Sequence, residues 1–162
     1  MRSEQEITRA IRQHSDTVRR LCMLYLKNYA DTEDIIQSVF LKYTLSSVAF
    51  ESSEHEKAWL IRVTVNACKD LLKSVFRSRV ISLEEVLEQS APVAEEHKEV
   101  LEAVLSLPEQ YKEVVYLHYY EGYTAPEISR MLGKKLPTVY TRLNRAKQLL
   151  REKLGGEGYD EP

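Results

Sequence analysis

The sequence predicts an all-α protein made of two small helical domains joined by an acidic linker. Three observations carry this. Apolar residues recur at helical spacing through most of the chain. Five Gly and five Pro in 162 residues are too few for the turn-rich strands of an all-β fold. From residue 80 to 99 the composition turns acidic, with Glu84, Glu85, Glu88, Glu95, Glu96 and Glu99 against Lys98, and with Ser90 and Pro92 in the middle. That pattern belongs to a tether rather than a packed element. The expected organisation is residues 1–79 as a three- or four-helix bundle, 80–99 as the linker, 100–154 as a helix-turn-helix domain and 155–162 as a frayed tail. A hydrophobic content of 43% suffices for a core, although two small domains are each marginal alone.

Residues 4–28 read as the first helix, with Ile7, Ile11, Val18, Leu21, Cys22 and Tyr25 on or near one face. Asp31 is the expected cap of a second helix, its first turn crowded with Glu33 and Asp34 where the helix dipole favours anions. Ile35, Ile36, Val39, Phe40 and Tyr43 form its apolar side; Asp34, Gln37, Ser38, Leu41 and Lys42 leave a polar stripe free. A polar loop over 50–56 leads into a third helix over 57–79. There Trp59, Leu60, Val63, Ala67, Leu71 and Leu72 are expected in the core. Arg62, Asn66, Lys69, Lys73, Arg77 and Arg79 make a basic face opposed only by Asp70. Cys22 and Cys68 are far apart in sequence and read as buried small hydrophobes. Neither they nor His14, His55, His97 and His118 show metal-ligand spacing, so no metal or cofactor is expected.

The most informative stretch runs from Gly122 to Leu154. Thr124 and Glu127 have capping-box spacing, Pro126 sits in the first turn, and Gly133 can take the left-handed conformation that ends a helix. A second helix opens at Pro137, with Val139, Leu143, Ala146 and Leu150 facing inward and Tyr140, Thr141, Asn144 and Gln148 opposite. From Lys134 to Lys153 seven cations face the single acid Glu152, in a chain whose net charge is −2. A compact helix pair with a basic, hydrogen-bonding outer face suits the DNA major groove, which admits one α-helix. His118, between Leu117 and Tyr119, reads as a hydrogen-bonded packing residue. No apolar run approaches the ~20 residues of a membrane span, and the polar, helix-patterned start carries no signal peptide; a cytoplasmic protein without membrane insertion is expected.

These segments, in this order, resemble the extracytoplasmic-function branch of bacterial RNA polymerase sigma factors. The similarity covers nearly the whole chain. DTEDIIQSVFLK and KAWLIRVTVNACKDLLK look like two successive conserved segments of the family, and residues 107–154 look like its C-terminal helix-turn-helix. The resemblance implies a non-enzymatic protein that binds polymerase core and directs initiation at promoters. It places Asp34, Gln37, Ser38 and Leu41 against the clamp coiled coil of the largest subunit, and the C-terminal domain against the flap of the second. It places Phe50, Ser52, Ser53 and His55 around a flipped base of the −10 element, with Arg62, Asn66, Lys69 and Lys73 along the duplex and the unpaired strand. Thr138, Tyr140, Thr141, Asn144 and Arg145 fall at the −35 element, where Arg142 holds a phosphate. An anti-sigma inhibitor is common in the family and is a candidate partner. Ser38 departs from a usual acid, Leu136-Pro137 from small polar residues or Gly, and Tyr140 from a common Lys. By residue pattern alone a plain helix-turn-helix regulator explains 100–154 equally well, but leaves the first domain's stripe and basic face without a purpose. A nuclease using Asp31, Glu33 and Asp34 lacks a second acidic cluster to complete a two-metal site.

Overall fold

Ser3 starts the chain's first helix. Its hydroxyl accepts the Glu6 N–H at 3.2 Å while the Glu6 carboxylate accepts the Ser3 N–H at 3.4 Å, a reciprocal capping box. The computed structural model describes residues 1–74 and 95–155; the expected linker up to residue 94, Arg77, Arg79 and the tail beyond Gly155 lie outside them. The chain divides into two compact units, 1–90 and 91–162.

In the first unit α1 (Glu4–Leu26), α2 (Tyr29–Leu45) and α3 (Ser53–Ser74) each pack against the other two. Helix α1 buries Ala10, His14, Thr17, Val18 and Leu21 through Leu26, while Ile11 is 40% exposed and only the later part of the expected face is core. It ends on Lys27, held left-handed at φ 58°. The cap of α2 is Asn28, not Asp31. The Asn28 side chain accepts the Asp31 N–H at 2.8 Å and donates to the Asp31 carboxylate at 2.8 Å. Asn28 is extended at φ −149° and helical backbone begins at Tyr29. Glu33 has a tertiary role instead, accepting from Arg19 of α1.

Helix α3 begins four residues before the expected position, so Ser53, Glu54, His55 and Glu56 are helical rather than loop. Ser52 supplies the cap, its hydroxyl accepting the His55 N–H at 3.0 Å, and Glu54 and Glu56 sit in the first turn. Its buried line is Glu56, Leu60, Ile61, Thr64, Val65 and Cys68. Of the residues expected there only Leu60 is fully buried; Trp59, Val63, Ala67, Leu71 and Leu72 are half-buried. The face is turned because Glu56 and Thr64, both polar, occupy core positions, which a reading by apolarity alone passes over. Cys22 and Cys68 are both fully buried, as expected, but the fold brings their sulfurs within 3.9 Å.

In the second unit α4 spans Glu95–Leu105, opening five residues ahead of the expected resumption of structure. Next, α5 (Glu109–Val115) runs into a π-helical turn, Tyr116–Tyr120. The last two helices are α6 (Ala125–Leu132) and α7 (Leu136–Leu154). Leu107, Val115 and Ala146 form a core joined by Val104, Tyr111, Leu149 and Leu150, so α7 is the element on which α4, α5 and α6 all pack.

Candidate nucleic-acid and protein interfaces

The α6–α7 pair is assembled from local signals. Thr124 accepts the Glu127 N–H at 3.3 Å, and the Glu127 carboxylate accepts the Thr124 N–H at 2.9 Å. That backbone bond, with help from the Thr124 hydroxyl, holds the Glu127 carboxyl below its ordinary value. Pro126 lies in the first turn, and Gly133 at φ 65° ends α6. The Ser129 hydroxyl donates to the Lys134 carbonyl and closes the turn. Val139, Leu143 and Ala146 anchor α7 inward. Tyr140, Thr141, Asn144 and Arg145 are exposed on the far side, and Thr138 is half-buried. The Thr141 hydroxyl donates to the Pro137 carbonyl at 2.9 Å, which leaves its lone pairs and methyl to face outward. Arg142 differs from its neighbours: half-buried, it directs a guanidinium nitrogen to 3.9 Å from the buried carboxylate of Glu113 on α5. His118 has the packing role expected of it, its Nδ1 lying 2.7 Å from the Tyr123 carbonyl.

A second polar surface sits on the loop between α2 and α3 and along α3. Phe50 is half-buried, stacked on Tyr43 (centroids 6.1 Å apart, planes at 5°) and edge-on to Trp59 at 5.6 Å and His55 at 5.2 Å. Ser52, Ser53, Glu54 and His55 are exposed around it. His55 Nδ1 accepts the Glu51 N–H at 3.1 Å, which leaves Nε2 as the ring nitrogen that can donate. Arg62, Asn66 and Lys73 are exposed and Lys69 half-buried along α3. Their spacing of four, three and four residues keeps them on one side of the helix.

Beneath that loop lies a group of residues the sequence pattern did not single out. Glu56 is 4% exposed. Its carboxylate accepts from Arg9 at 2.8 and 3.0 Å and from the Tyr43 hydroxyl at 2.8 Å, and lies 2.9 Å from His14 Nε2. Burial by itself pushes the Glu56 carboxyl up, but the bonds from Arg9, Tyr43 and His14 outweigh it and bring it down to about 2. Burial, then the bond to Glu56, pushes the Tyr43 hydroxyl up to about 12. Glu56 thus stays ionised and ties α1, α2 and α3 at one point. The available signal was its place one turn ahead of Leu60 on the buried line of α3.

On α2, Asp34, Gln37, Ser38 and Leu41 are all exposed. Leu41 and Leu45 are 59% and 63% exposed, so the stripe is acidic and amide-bearing at one end and apolar at the other. Among the described residues no cluster of His, Cys, Asp or Glu could hold a metal ion, and no helix is long and apolar enough to cross a membrane.

The chain matches two family models, sigma-70 region 2 over residues 10–78 and sigma-70 region 4 over 97–150. It is 31% identical to the RNA polymerase sigma factor SigV of Bacillus subtilis across 91% of this chain and 90% of that one. With the ECF RNA polymerase sigma factor SigE of Mycolicibacterium smegmatis it shares 33% identity across 89% of this chain and 60% of the relative. In fold it is similar to the sigma factor RpoE of Bartonella quintana, solved in complex with the anti-sigma factor NepR. The TM-score is 0.71 at 18% identity, covering 94% of this chain and 99% of that one. Matched by both sigma-70 regions and along nine-tenths of SigV's length, the chain belongs to the extracytoplasmic-function sigma factors, regulatory proteins through which RNA polymerase initiates transcription at chosen promoters.

Proposed function

We propose that the two units divide the work of promoter recognition. The first unit docks on polymerase core and reads the −10 element; the second, which opens with α4 at Glu95, reads the −35 element; the acidic segment ahead of α4 joins them. The observation that carries this is the outward face of α7, where Tyr140, Thr141, Asn144 and Arg145 stand exposed together on a rigid helix behind a capped turn. A helix N-terminal half so presented can enter the major groove, phosphate contacts setting its position while these side chains meet base edges. Arg142, drawn toward Glu113, braces α7 on α5 as well as lying beside the backbone path.

In the first unit Asp34, Gln37, Ser38 and Leu41 form the docking stripe for the clamp coiled coil of the largest polymerase subunit. An unpaired −10 base lodges against Phe50 among Ser52, Ser53 and His55, while Arg62, Asn66, Lys69 and Lys73 follow the phosphates. Ejecting a base costs a few kcal/mol, least where the strand is already open. The flap of the second subunit is the expected contact of the C-terminal unit, and an anti-sigma protein a further partner competing for these same faces.

Run-off transcription with purified core polymerase on a library of genomic fragments tests the whole reading: initiation at defined sites is expected, and its absence would sink it. Within the reading, Arg145→Ala should weaken −35 duplex binding by about 1–3 kcal/mol in a sequence-selective way. An equal loss on unrelated duplexes would make Arg145 a phosphate contact.

A further inference from the structure

The loop from Ser46 to Ser52 has no helix or strand to hold it. Its own polar contacts are short-range: the Val48 N–H to the Ser46 hydroxyl and the Glu51 N–H to His55. What reaches it from far away in sequence is Arg2. The Arg2 N–H donates to the Thr44 carbonyl at 3.0 Å and Nε to the Tyr43 carbonyl at 2.9 Å, both in the last turn of α2. One terminal nitrogen donates to the Val48 carbonyl at 2.6 Å, and the other lies 3.4 Å from the Glu6 carboxylate. The guanidinium plane rests 4.4 Å from the Tyr43 ring centroid and 4.9 Å from that of Phe50. The side chain is only 10% exposed.

Each contact has a physical reason. The last carbonyls of a helix lack intrahelical partners and carry the negative end of its dipole. A guanidinium offers five donors in a fixed fork and a flat face that stacks on aromatic rings. Arg2 uses the fork to span from the α2 terminus to the loop and the face to press on the ring pair Tyr43 and Phe50. A lysine in its place has its three donors on a single nitrogen, and no plane to lay on the rings.

We propose that Arg2 is a positioning residue for −10 recognition: without touching DNA, it holds Val48 and Phe50 in the shape that accepts the unpaired base, and so sets base discrimination there. This rests on the reading of the loop given above. Loss of the bracket leaves the loop held by the ring contacts of Phe50 and by bonds between near neighbours, and misplacing a positioned group by about 1 Å can cost up to ~100-fold in the process it serves.

The test uses holoenzyme assembled from the full chain and bacterial core polymerase. The probes are single-stranded oligonucleotides carrying the −10 sequence of a promoter found by run-off selection, with and without a substitution at the flipped base. Arg2→Ala is expected to lose roughly tenfold in affinity for the cognate strand and to lose most of the preference over the substituted one. Arg2→Lys should resemble Arg2→Ala, and −35 duplex binding and core assembly should be unchanged. In the free chain Trp59, its one tryptophan and a neighbour of Phe50, should report the altered loop by fluorescence. Val18→Ala, a core variant remote from the loop in sequence and lowering the melting temperature, controls for stability. Should Arg2→Ala keep the wild-type base preference, or lose no more of it than Val18→Ala, the positioning role is overturned while the loop reading stands. Should wild-type holoenzyme show no base preference on the open strand, the loop reading itself falls and takes the role of Arg2 with it.

Discussion

The two surfaces proposed to meet DNA in this sigma factor are held in place by different means. The helix-turn-helix is set by neighbours: Thr124 with Glu127, Ser129 with Lys134, and Gly133 by its own backbone freedom. The loop before α3 and the first turn of α3 lean also on residues far off in the chain. Arg9 and His14 reach Glu56 across 47 and 42 positions, and Arg2 reaches Val48 across 46. A surface built from local bonds can form as its own helices form, whereas one built from distant bonds exists only once the three-helix bundle has closed. Damage to the two should therefore look different, and the difference can be measured.

The largest expected effect is at Glu56. Glu56→Ala removes the partner of Arg9, the Tyr43 hydroxyl and His14 together, and should cost about 3 kcal/mol or more. Hydrogen exchange would show it as lost protection throughout α1, α2 and α3, with α6 and α7 unchanged; exchange confined to the first turn of α3 would mean the network is local after all.

Acid should act on the same point. The Glu56 carboxyl sits at about 2 against an ordinary 4.5, so the stability it supplies is complete above pH 4.5. It disappears as pH falls through the folded value near 2, because the unfolded chain takes up the proton first. The loss across that window is about 3 kcal/mol. Arg9, His14 and Tyr43 are the groups facing it. A Glu56→Gln variant should lack this component of the acid transition, and an unaltered acid profile in that variant would contradict the assignment.

Smaller effects are expected where structure is local. Thr124→Ala should cost about 1 kcal/mol, seen as faster exchange in α6 alone. Gly133→Ala should cost about the same. A methyl there meets nothing within 4 Å, so the penalty is purely that of a left-handed backbone. Lys27 occupies the same conformation at the end of α1 with a side chain attached. Lys27→Gly should therefore gain about 0.5 kcal/mol, read from the melting temperature.

Legibility followed the same division. Thr124, Pro126, Gly133 and the inward line of Val139, Leu143 and Ala146 could be placed from spacing, because each makes its contacts within a few residues or along one helix face. The start of α2 could not. Asn28 and Asp31 are both good caps, and it is Asn28 that takes the role, its side chain accepting the Asp31 N–H. The buried face of α3 was turned for a related reason: Glu56 is a core residue only because Arg9, Tyr43 and His14 converge on it, and a carboxylate without those partners would belong in water. Arg2 gave no signal, being one charged residue ahead of a helix.

From the chain's own residue order come the helical class, the acidic break between two bodies, the family, and the helix that presents Tyr140 to Arg145. Those properties rest on periodicity, charge and capping, which act over a turn or two of backbone. The mounting of Phe50, the ionised acid at the centre of the first bundle and the meeting of Cys22 with Cys68 arise only on folding. They join groups as far as 47 residues apart along the chain, and no local pattern can say which distant partner a buried polar group will find.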